Sequence, residues 1–560
     1  MLEELKKQLQ DLLSFDVELD FSPNKQMGDL AISCFSLAKE QQKNPAEIAS
    51  DLAQKIKLGN LEIIEKIESK GPYVNLFLNT GVLAQKILGK VKNNENYGSN
   101  NFGSGKKVLI EYPSQNTHKE FHVGHLRNIC IGNVLVNLYK KFGYEVSPVN
   151  YINDFGAHVA KCLWGIKFLY NGVEPLENKQ EWLGRVYAEA SNEIGDDPIK
   201  KQDVAEIQRE LEAKSGDVYE LYKKTREWSL EGFDKIQSEL GLKHEQTFFE
   251  SDIKEEGQKI VDELIEKKVA KEGEGGAIIV DLENYGLDIA LLRKSNGAGV
   301  YMTSDLALAE LKKEKYPDID ESINITGIEQ NFYFKQLFKI LELNSFEYKM
   351  THIGYGLVNL PSGKMSSRKG NVVLYKYVYD QVFEYLHNET KQRHPDWSEE
   401  KINKNTKKLT LAGIKFGMQK HEALKNIVFD VEESTAISGY TGLYVLYTVA
   451  RINSILKKAE NNETENGVGE LKEDEEKVLL LELSKYEDIC KKALENYNPS
   501  VITRYCFDLA SAFNNFYTKH RIVEAETTSL KVGRVLLSSI TKNVLKNALE
   551  ILSIETVEEM

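Results

Sequence analysis

Apolar residues recur every third or fourth position through most of this chain. In a few places they alternate or form short unbroken runs. The first spacing predicts amphipathic helices and the second predicts strands. Residues 1–88 open on a charged amphipathic helix, Met1-Leu2-Glu3-Glu4-Leu5-Lys6-Lys7. A second helix is predicted over residues 46–56, with Asn44 as its cap and Pro45 in its first turn. The unit closes on strand-like Tyr73-Val74-Asn75-Leu76-Phe77-Leu78. Residues 92–107, rich in Asn, Gly and Lys, read as a linker.

A βαβ pattern follows: a strand over 108–112, a helix from about 124 to 141, and a second strand over 146–152. Such alternation predicts a parallel sheet with ligands at the carboxyl ends of its strands. Residues from about 165 to 275 are charged and helical in pattern, as an insertion between two halves of a nucleotide-binding fold would be. Strand signals return at 277–280, 323–326 and near 352–354. From 378 to the end the pattern is almost wholly helical, with an acidic segment over 459–477.

At 560 residues the chain is too long for one core, and about three or four domains are expected. An apolar fraction of 41% and a charged fraction of 28% fit a water-soluble globular protein. No apolar run has the length of a membrane span, and the amino-terminal helix lacks a signal-peptide core. The cysteines, Cys34, Cys130, Cys162, Cys490 and Cys506, have neither disulfide-framework nor zinc spacing, so a reducing cytoplasm is the simplest home. The net charge of −14 requires that any nucleic-acid partner be met by local basic faces. Candidates are Lys457-Lys458 and the series Lys519, Arg521, Lys531, Arg534, Lys542 and Lys546; each taken singly also fits a solvated helix face.

The chemistry gathers around His122-Val123-Gly124-His125, which lies between a predicted strand and the start of a helix. Such a junction collects backbone N–H groups and the positive end of the helix dipole, and so holds anions. Two imidazoles there can reach the phosphates of one nucleotide, and Gly124 allows close approach. An H-x-x-H pair can also ligate zinc, but no third ligand follows at sensible spacing, so no metal site is expected. Downstream, Lys364-Met365-Ser366-Ser367-Arg368-Lys369-Gly370 forms a basic loop able to meet the same phosphates. Ser114 and Asn116 precede the histidines and fit either a turn or the backbone groups of an amino acid. Tyr301 and Asp305 are one helical turn apart at a predicted helix start, where Asp305 or Ser304 could equally be a cap. Glu250 and Gln330 have turn or surface readings of similar weight. Carboxylates and a phenol converging on one pocket would suit a guanidinium.

These motifs resemble those of class I aminoacyl-tRNA synthetases, and of the arginyl-tRNA synthetase family in particular. His122–His125 is similar to the H-I-G-H signature of that class, and Lys364–Arg368 to its K-M-S-K-S loop. Pro113-Ser114-Gln115-Asn116, Leu126-Arg127-Asn128, Tyr301 with Asp305, and Tyr447-Thr448-Val449-Ala450-Arg451-Ile452 narrow the resemblance to arginine. It covers the whole chain. The fold it implies is a Rossmann-type α/β catalytic core with a helical insertion, an amino-terminal α/β accessory domain and an all-α carboxyl-terminal anticodon-binding domain. The boundaries would be 1–88 for the accessory domain, which contacts tRNA, and 106–377 for the catalytic domain with its insertion at about 165–275. A helical connection would follow over 378–435, and the anticodon-binding domain over 436–560.

The implied activity is attachment of arginine to the 3′ end of tRNA(Arg) through arginyl-adenylate. ATP would enter as its Mg²⁺ complex, with no tight metal site on the protein. His122 and His125, with Gly124, Lys364, Met365 and Ser366, would bind ATP. Ser114, Asn116, Glu250, Tyr301, Asp305 and Gln330 would bind arginine. The partners would be tRNA(Arg), arginine and ATP, with no membrane, and the protein would be a cytoplasmic monomer. Ser367 stands where the loop's second lysine belongs. The missing charge would come from Arg368 or from Lys119, and the resemblance favours Lys119. Two alternatives stay open: a class I synthetase for another amino acid, and an inactive tRNA-binding regulator.

Overall fold

The computed structural model describes residues 2–92, 94, 96–361, 373–459 and 470–560. The basic loop with Lys364, Met365, Ser366, Ser367 and Arg368 lies outside the described residues, as does most of the acidic segment.

The amino-terminal unit comprises α1 (Leu2–Leu13), β1 (Leu19–Phe21), β2 (Leu30–Ser33), α2 (Phe35–Gln41), α3 (Pro45–Leu58), β3 (Ile64–Lys70) and β4 (Tyr73–Leu78). Its strands form an antiparallel sheet in the order β1-β2-β4-β3. The expected cap is present, since the Asn44 side chain accepts from the Ala46 N–H at 2.9 Å. Helix α4 (Thr80–Lys92) then leads away from the unit.

The catalytic sheet starts with β5 (Lys107–Glu111), α5 (Val123–Lys141) and β6 (Glu145–Ile152). Strand β5 is buried on both faces and reads as an apolar run, Val108-Leu109-Ile110, whereas β11 alternates Ile323 and Ile325 with polar residues although its first five positions are buried. Four helices follow: α6 (Ala157–Phe168), α7 (Lys179–Ile194), α8 (Pro198–Glu212) and α9 (Asp217–Glu239). They enclose a core of their own built on Trp164, Trp182 and Trp228. The stretch expected to be helical up to about 275 instead returns to the sheet early. Strand β7 (Gln246–Phe249) runs parallel to β6, and α10 (Glu250–Glu266) starts directly after it. A four-residue strand carries too little periodicity to stand out among charged helices.

A small antiparallel sheet follows, made of β8 (Lys271–Glu272), β9 (Ile278–Val280) and β10 (Ala290–Arg293), and then α11 (Tyr301–Lys315). The main sheet is completed by β11 (Glu321–Gly327), α12 (Asn331–Leu343) and β12 (Lys349–Tyr355). Its order is β12-β11-β5-β6-β7, with every pairing parallel. Strand order reverses between β5 and β11, and ligands of open parallel sheets bind outside the strand ends at such a switch point.

The remainder is mostly helical. It comprises β13 (Val358–Asn359), α13 (Tyr375–Arg393), α14 (Glu399–Gln419), β14 (Ile427–Val428), α15 (Val431–Thr435), α16 (Gly442–Lys458), α17 (Asp474–Ser484), α18 (Tyr486–Glu495), α19 (Ser500–Lys519) and α20 (Thr528–Ile551). One apolar cluster runs from Leu5 in α1 through α5 to Val557 beyond α20.

Candidate active site

Helix α5 begins at the switch point, and His122 is its cap. His122 Nδ1 accepts from the N–H groups of Gly124 at 3.1 Å and His125 at 3.3 Å. His125 Nδ1 accepts in turn from the His122 N–H at 3.3 Å. The rings stack with centroids 3.6 Å apart. Because both Nδ1 atoms accept, each neutral ring carries its proton on Nε2, as a donor. Burial, with help from the Lys119 charge, pushes His122 down to about 4 and His125 well below the usual range. The pair is therefore neutral at working pH. Gly124 has a specific local reason: a Cβ there would lie 2.9 Å from His122 Nδ1.

Lys119 is brought to the same place. Its charge acts on His122, His125 and His158, and its Nζ lies 5.2 Å from the Tyr187 ring centroid. The helical insertion holds its backbone, since Gln180 Nε2 donates to the Lys119 carbonyl at 2.9 Å. Next to it, buried His118 is fixed by Thr117 at 2.9 Å and Thr225 at 2.8 Å, and burial keeps its pKa near 3.

A second cluster surrounds Tyr151 on β6. Burial raises its hydroxyl pKa, and the charges of Glu250, Asp305, Glu111 and Asp154 raise it further, so all four carboxylates lie close to it. Two have evident cationic partners. Glu111 pairs with Lys312 inside the fold. Asp154 accepts from Arg226 at 2.6 Å and from Ser251, N–H at 2.9 Å and Oγ at 2.8 Å. Asp305 instead accepts from the Tyr333 hydroxyl, and burial pushes it up to about 7, with Glu111 adding to the rise. A carboxylate held this high favours a cationic ligand. It is not the helix cap: α11 begins at Tyr301, where the Val300 N–H donates to Thr303 Oγ1 at 3.0 Å.

Glu250 opens α10 beside this cluster. Tyr301 stands one turn before Asp305 and is 75% exposed, so it forms rim rather than wall. Gln330 is exposed in the turn between β11 and α12, and no described contact ties it to Asp305. Asn116 bridges Asn153 through the backbone, just beyond the end of β6. Ser114, with φ of 58°, donates its N–H to Asn150 Oδ1 at 3.2 Å.

Sequence reasoning missed Glu111, Tyr151, Asp154 and Tyr333. Glu111 was visible as a carboxylate ending an apolar strand, and Asp154 as one just beyond another. Tyr333 had no signal, since its partner lies 28 residues away.

The helical third of the chain carries a separate cleft of about 1020 Å³, lined by Tyr447, Arg451, Tyr517, Lys519, Arg521 and the terminal Met560. The Arg451 guanidinium lies 4.7 Å from the Tyr447 ring and 5.1 Å from the Tyr517 ring. Arg534, by contrast, is buried against Glu476 at 2.8 Å and faces no solvent.

Known proteins share this arrangement. The family model for tRNA synthetases class I (R), catalytic domain, matches residues 86–431. The arginyl tRNA synthetase N terminal domain matches 1–78, and the DALR anticodon binding domain matches 445–560. An Arginine–tRNA ligase of Clostridium botulinum (strain Alaska E43 / Type E3) is 34% identical over 557 residues, covering 98% of this chain and 97% of the relative. The chain belongs to the arginyl-tRNA synthetase family. A further Arginine–tRNA ligase, from Clostridium beijerinckii, is 33% identical over 99% of this chain and 100% of the relative. The fold agrees with Thermus thermophilus arginyl-tRNA synthetase at a TM-score of 0.82, with 24% identity and 100% of both chains covered. The Plasmodium falciparum enzyme gives 0.79 at 23% identity, covering 100% of this chain and 99% of that one. Nothing among these relatives favours the inactive regulator.

Proposed function

We propose that the chain joins arginine to the 3′ end of tRNA(Arg) in two steps, with the two clusters dividing the work. The observation that carries this reading is the raised carboxylate of Asp305, which has no ion-pair partner among the described residues and shares the surroundings of Tyr151 with Glu250, in a chain that also presents a pair of neutral imidazole donors at the start of α5. A forked guanidinium satisfies such a pocket better than a point-charge ammonium.

In the first step the arginine carboxylate attacks the α-phosphate of MgATP, and pyrophosphate leaves. His122 and His125 donate from Nε2 to phosphate oxygens, and Lys119 adds positive charge as it builds there. Gly124 leaves room for the fold-back of His122 that sets this geometry. Lys364, Met365, Ser366 and Arg368 would meet the same phosphates from the other side. Mg²⁺ is part of the substrate, held by phosphates and water. Asp305, Glu250, Tyr301 and Gln330 surround the guanidinium, while Ser114 and Asn116 hold the backbone end. In the second step a terminal adenosine hydroxyl of tRNA attacks the arginyl carbonyl, and AMP leaves.

We assign the anticodon arm to the cleft around Arg451 and Tyr517, and tRNA contact also to residues 1–88. Domain limits of 1–88, 106–377, 378–435 and 436–560 fit these roles. The reading takes the protein as a cytoplasmic monomer with no membrane partner; no described helix is long and apolar enough to cross a membrane. Charging of bulk tRNA with each amino acid in turn tests the whole proposal. Arginine alone should be attached, and comparable charging with lysine would overturn it.

A further inference from the structure

A lysine carries a compact charge on a flexible stem, so where its ammonium stands depends on what fixes its backbone and what meets its tip. Around Lys119 both tasks fall to the helical insertion. Gln180, Gly184 and Tyr187 recur at i, i+4 and i+7 in α7 and so lie on one face of that helix. Each meets the segment just before the histidines. Gln180 is buried, and its Nε2 donates to the Lys119 carbonyl at 2.9 Å. A Cβ on Gly184 would fall 2.0 Å from Glu120 Cγ and 2.8 Å from the Glu120 backbone nitrogen, so α7 lies directly against the chain there. The Tyr187 ring centroid is 5.2 Å from Lys119 Nζ.

Helix α9 backs this face with a second stripe at the same spacing, Thr225, Ser229 and Gly232. Thr225 Oγ1 lies 2.8 Å from the His118 ring, and Ser229 Oγ accepts from the His118 N–H at 3.0 Å. A Cβ on Gly232 would fall 2.4 Å from Gln180 Cβ, so α9 closes over the side chain that holds Lys119. His118 has a φ of 60°, a left-handed conformation that a residue with a side chain keeps where its surroundings fix it. Residues 118–120 thus sit in a seat shaped by α7 and α9, whose bonds to it span 61 and 111 residues of chain. The ring in this seat suits its task. An aromatic face attracts an ammonium without cancelling its charge, whereas a carboxylate would neutralise it. Among the described residues no carboxylate pairs with Lys119.

We propose that Gln180, Gly184 and Tyr187 are positioning residues for adenylate formation, holding the Lys119 ammonium beside the histidine pair. This rests on the reading that Lys119 supplies charge at the ATP phosphates. The Lys119 charge is felt at both His122 and His125, in keeping with that placement.

The test is pyrophosphate exchange by the full chain with saturating tRNA, in single variants and in the K119A background. Q180A should slow exchange about fivefold, the scale of one hydrogen bond. G184A should slow it about tenfold or more, since it pushes the seat off the segment that carries the lysine. Tyr187→Leu should cost about two- to fivefold, the scale of one cation–π contact, and Tyr187→Phe, which keeps the ring face, should recover most of that loss. The losses should fall on kcat, with the KM values for ATP and arginine nearly unchanged. In K119A none of these changes should slow the enzyme further, because nothing is left to position. Losses that persist undiminished in K119A would overturn the proposal and make the stripe a general support of the fold. Unchanged rates in Q180A, G184A and Tyr187→Leu would overturn it too. K119A alone separates the underlying reading: if it keeps the parental rate, the role of Lys119 fails, and the positioning role falls with it.

Discussion

At the scale of single residues, the two clusters behave oppositely toward protons. The histidines lie well below the physiological range, at about 4 for His122 and lower for His125, so they act as fixed neutral donors. Asp305 lies near 7 and titrates where the enzyme works. A bound guanidinium favours its charged form, so arginine expels a proton when it binds from below that pH. Arginine affinity should therefore fall as pH drops through 7 toward 5, approaching tenfold per unit, and level off above 8. Calorimetry across that range, in two buffers of different ionisation enthalpy, measures both affinity and proton release. Asp305→Asn should abolish the release and raise the arginine KM by about 1.5–3 kcal/mol while leaving the ATP KM nearly unchanged. Equal rises for both substrates would make Asp305 a structural group. Lys119→Ala should slow adenylate formation roughly 10²-fold with little effect on arginine binding, and Ser367→Lys in that background should restore part of the rate. Near-normal exchange would move the role to Arg368. The histidine pair and its glycine were legible in the sequence because their spacing is local. The carboxylate cluster was only half legible, because Glu111, Asp154 and Tyr333 join it through tertiary packing.

At the scale of elements, α5 is the keystone, and Arg127 shows how it is fixed. Among the described residues its buried guanidinium has no carboxylate partner. Nη1 donates to the carbonyls of Gly356 at 2.7 Å and Lys425 at 2.8 Å, and Nη2 to that of Glu422 at 3.2 Å. Burial lowers its pKa to about 10, which leaves it charged at working pH. The first turn of α5 is thereby tied to the end of β12 and to the turn after α14. Asn128 adds a bond to the Ile325 carbonyl of β11 at 2.7 Å, and the Val123 N–H donates to the Val373 carbonyl at 2.9 Å. Arg127→Met keeps the bulk but removes the donor from the buried Gly356 carbonyl and from the part-buried Lys425 and Glu422 carbonyls; a buried polar group left unsatisfied costs about 1–3 kcal/mol. Thermal unfolding should show a loss of about 3 kcal/mol or more, with Arg127→Lys recovering only part, since an ammonium lacks the planar fork. A variant that melts as the parent does would mean the carbonyls find other donors. In the sequence Arg127 reads only as part of a motif; three carbonyls some 230 to 300 residues downstream give no local signal. Strand β7 was lost for a related reason, because its register comes from pairing with β6 and not from its own four residues.

At the scale of the whole molecule, the helical third is welded to the catalytic unit. The segment after α20 runs back across α14: Lys415 Nζ donates to the Ser553 carbonyl at 2.6 Å, Lys408 pairs with Glu555 at 3.0 Å, and Lys401 with Glu559 at 3.0 Å. Asn137 of α5 donates to the carbonyls of Glu550 and Ile551 at 3.1 Å, so the helix that carries the histidines also touches the chain's last turn. Removing residues 436–560 would expose this shared core, and loss of tRNA binding in such a fragment would report misfolding as readily as a missing surface. Point changes in the cleft are the sharper probe. Of the aromatics on α19, Tyr505, Phe513 and Phe516 are core, whereas Tyr517 is 41% exposed and faces Arg451. Aromatic and guanidinium planes side by side form a stacking platform for unpaired bases. Tyr517→Ala should weaken tRNA binding by about 1–3 kcal/mol with little change in salt dependence, since it removes stacking and no charge. Arg451→Ala should weaken binding and also flatten the salt dependence if the guanidinium meets phosphate. Neither should change the KM for ATP or arginine. Filter binding of tRNA(Arg) at two salt concentrations, beside pyrophosphate exchange, reads all of these. Undiminished tRNA affinity in both variants would place the anticodon arm elsewhere, despite the shape and charge of this cleft.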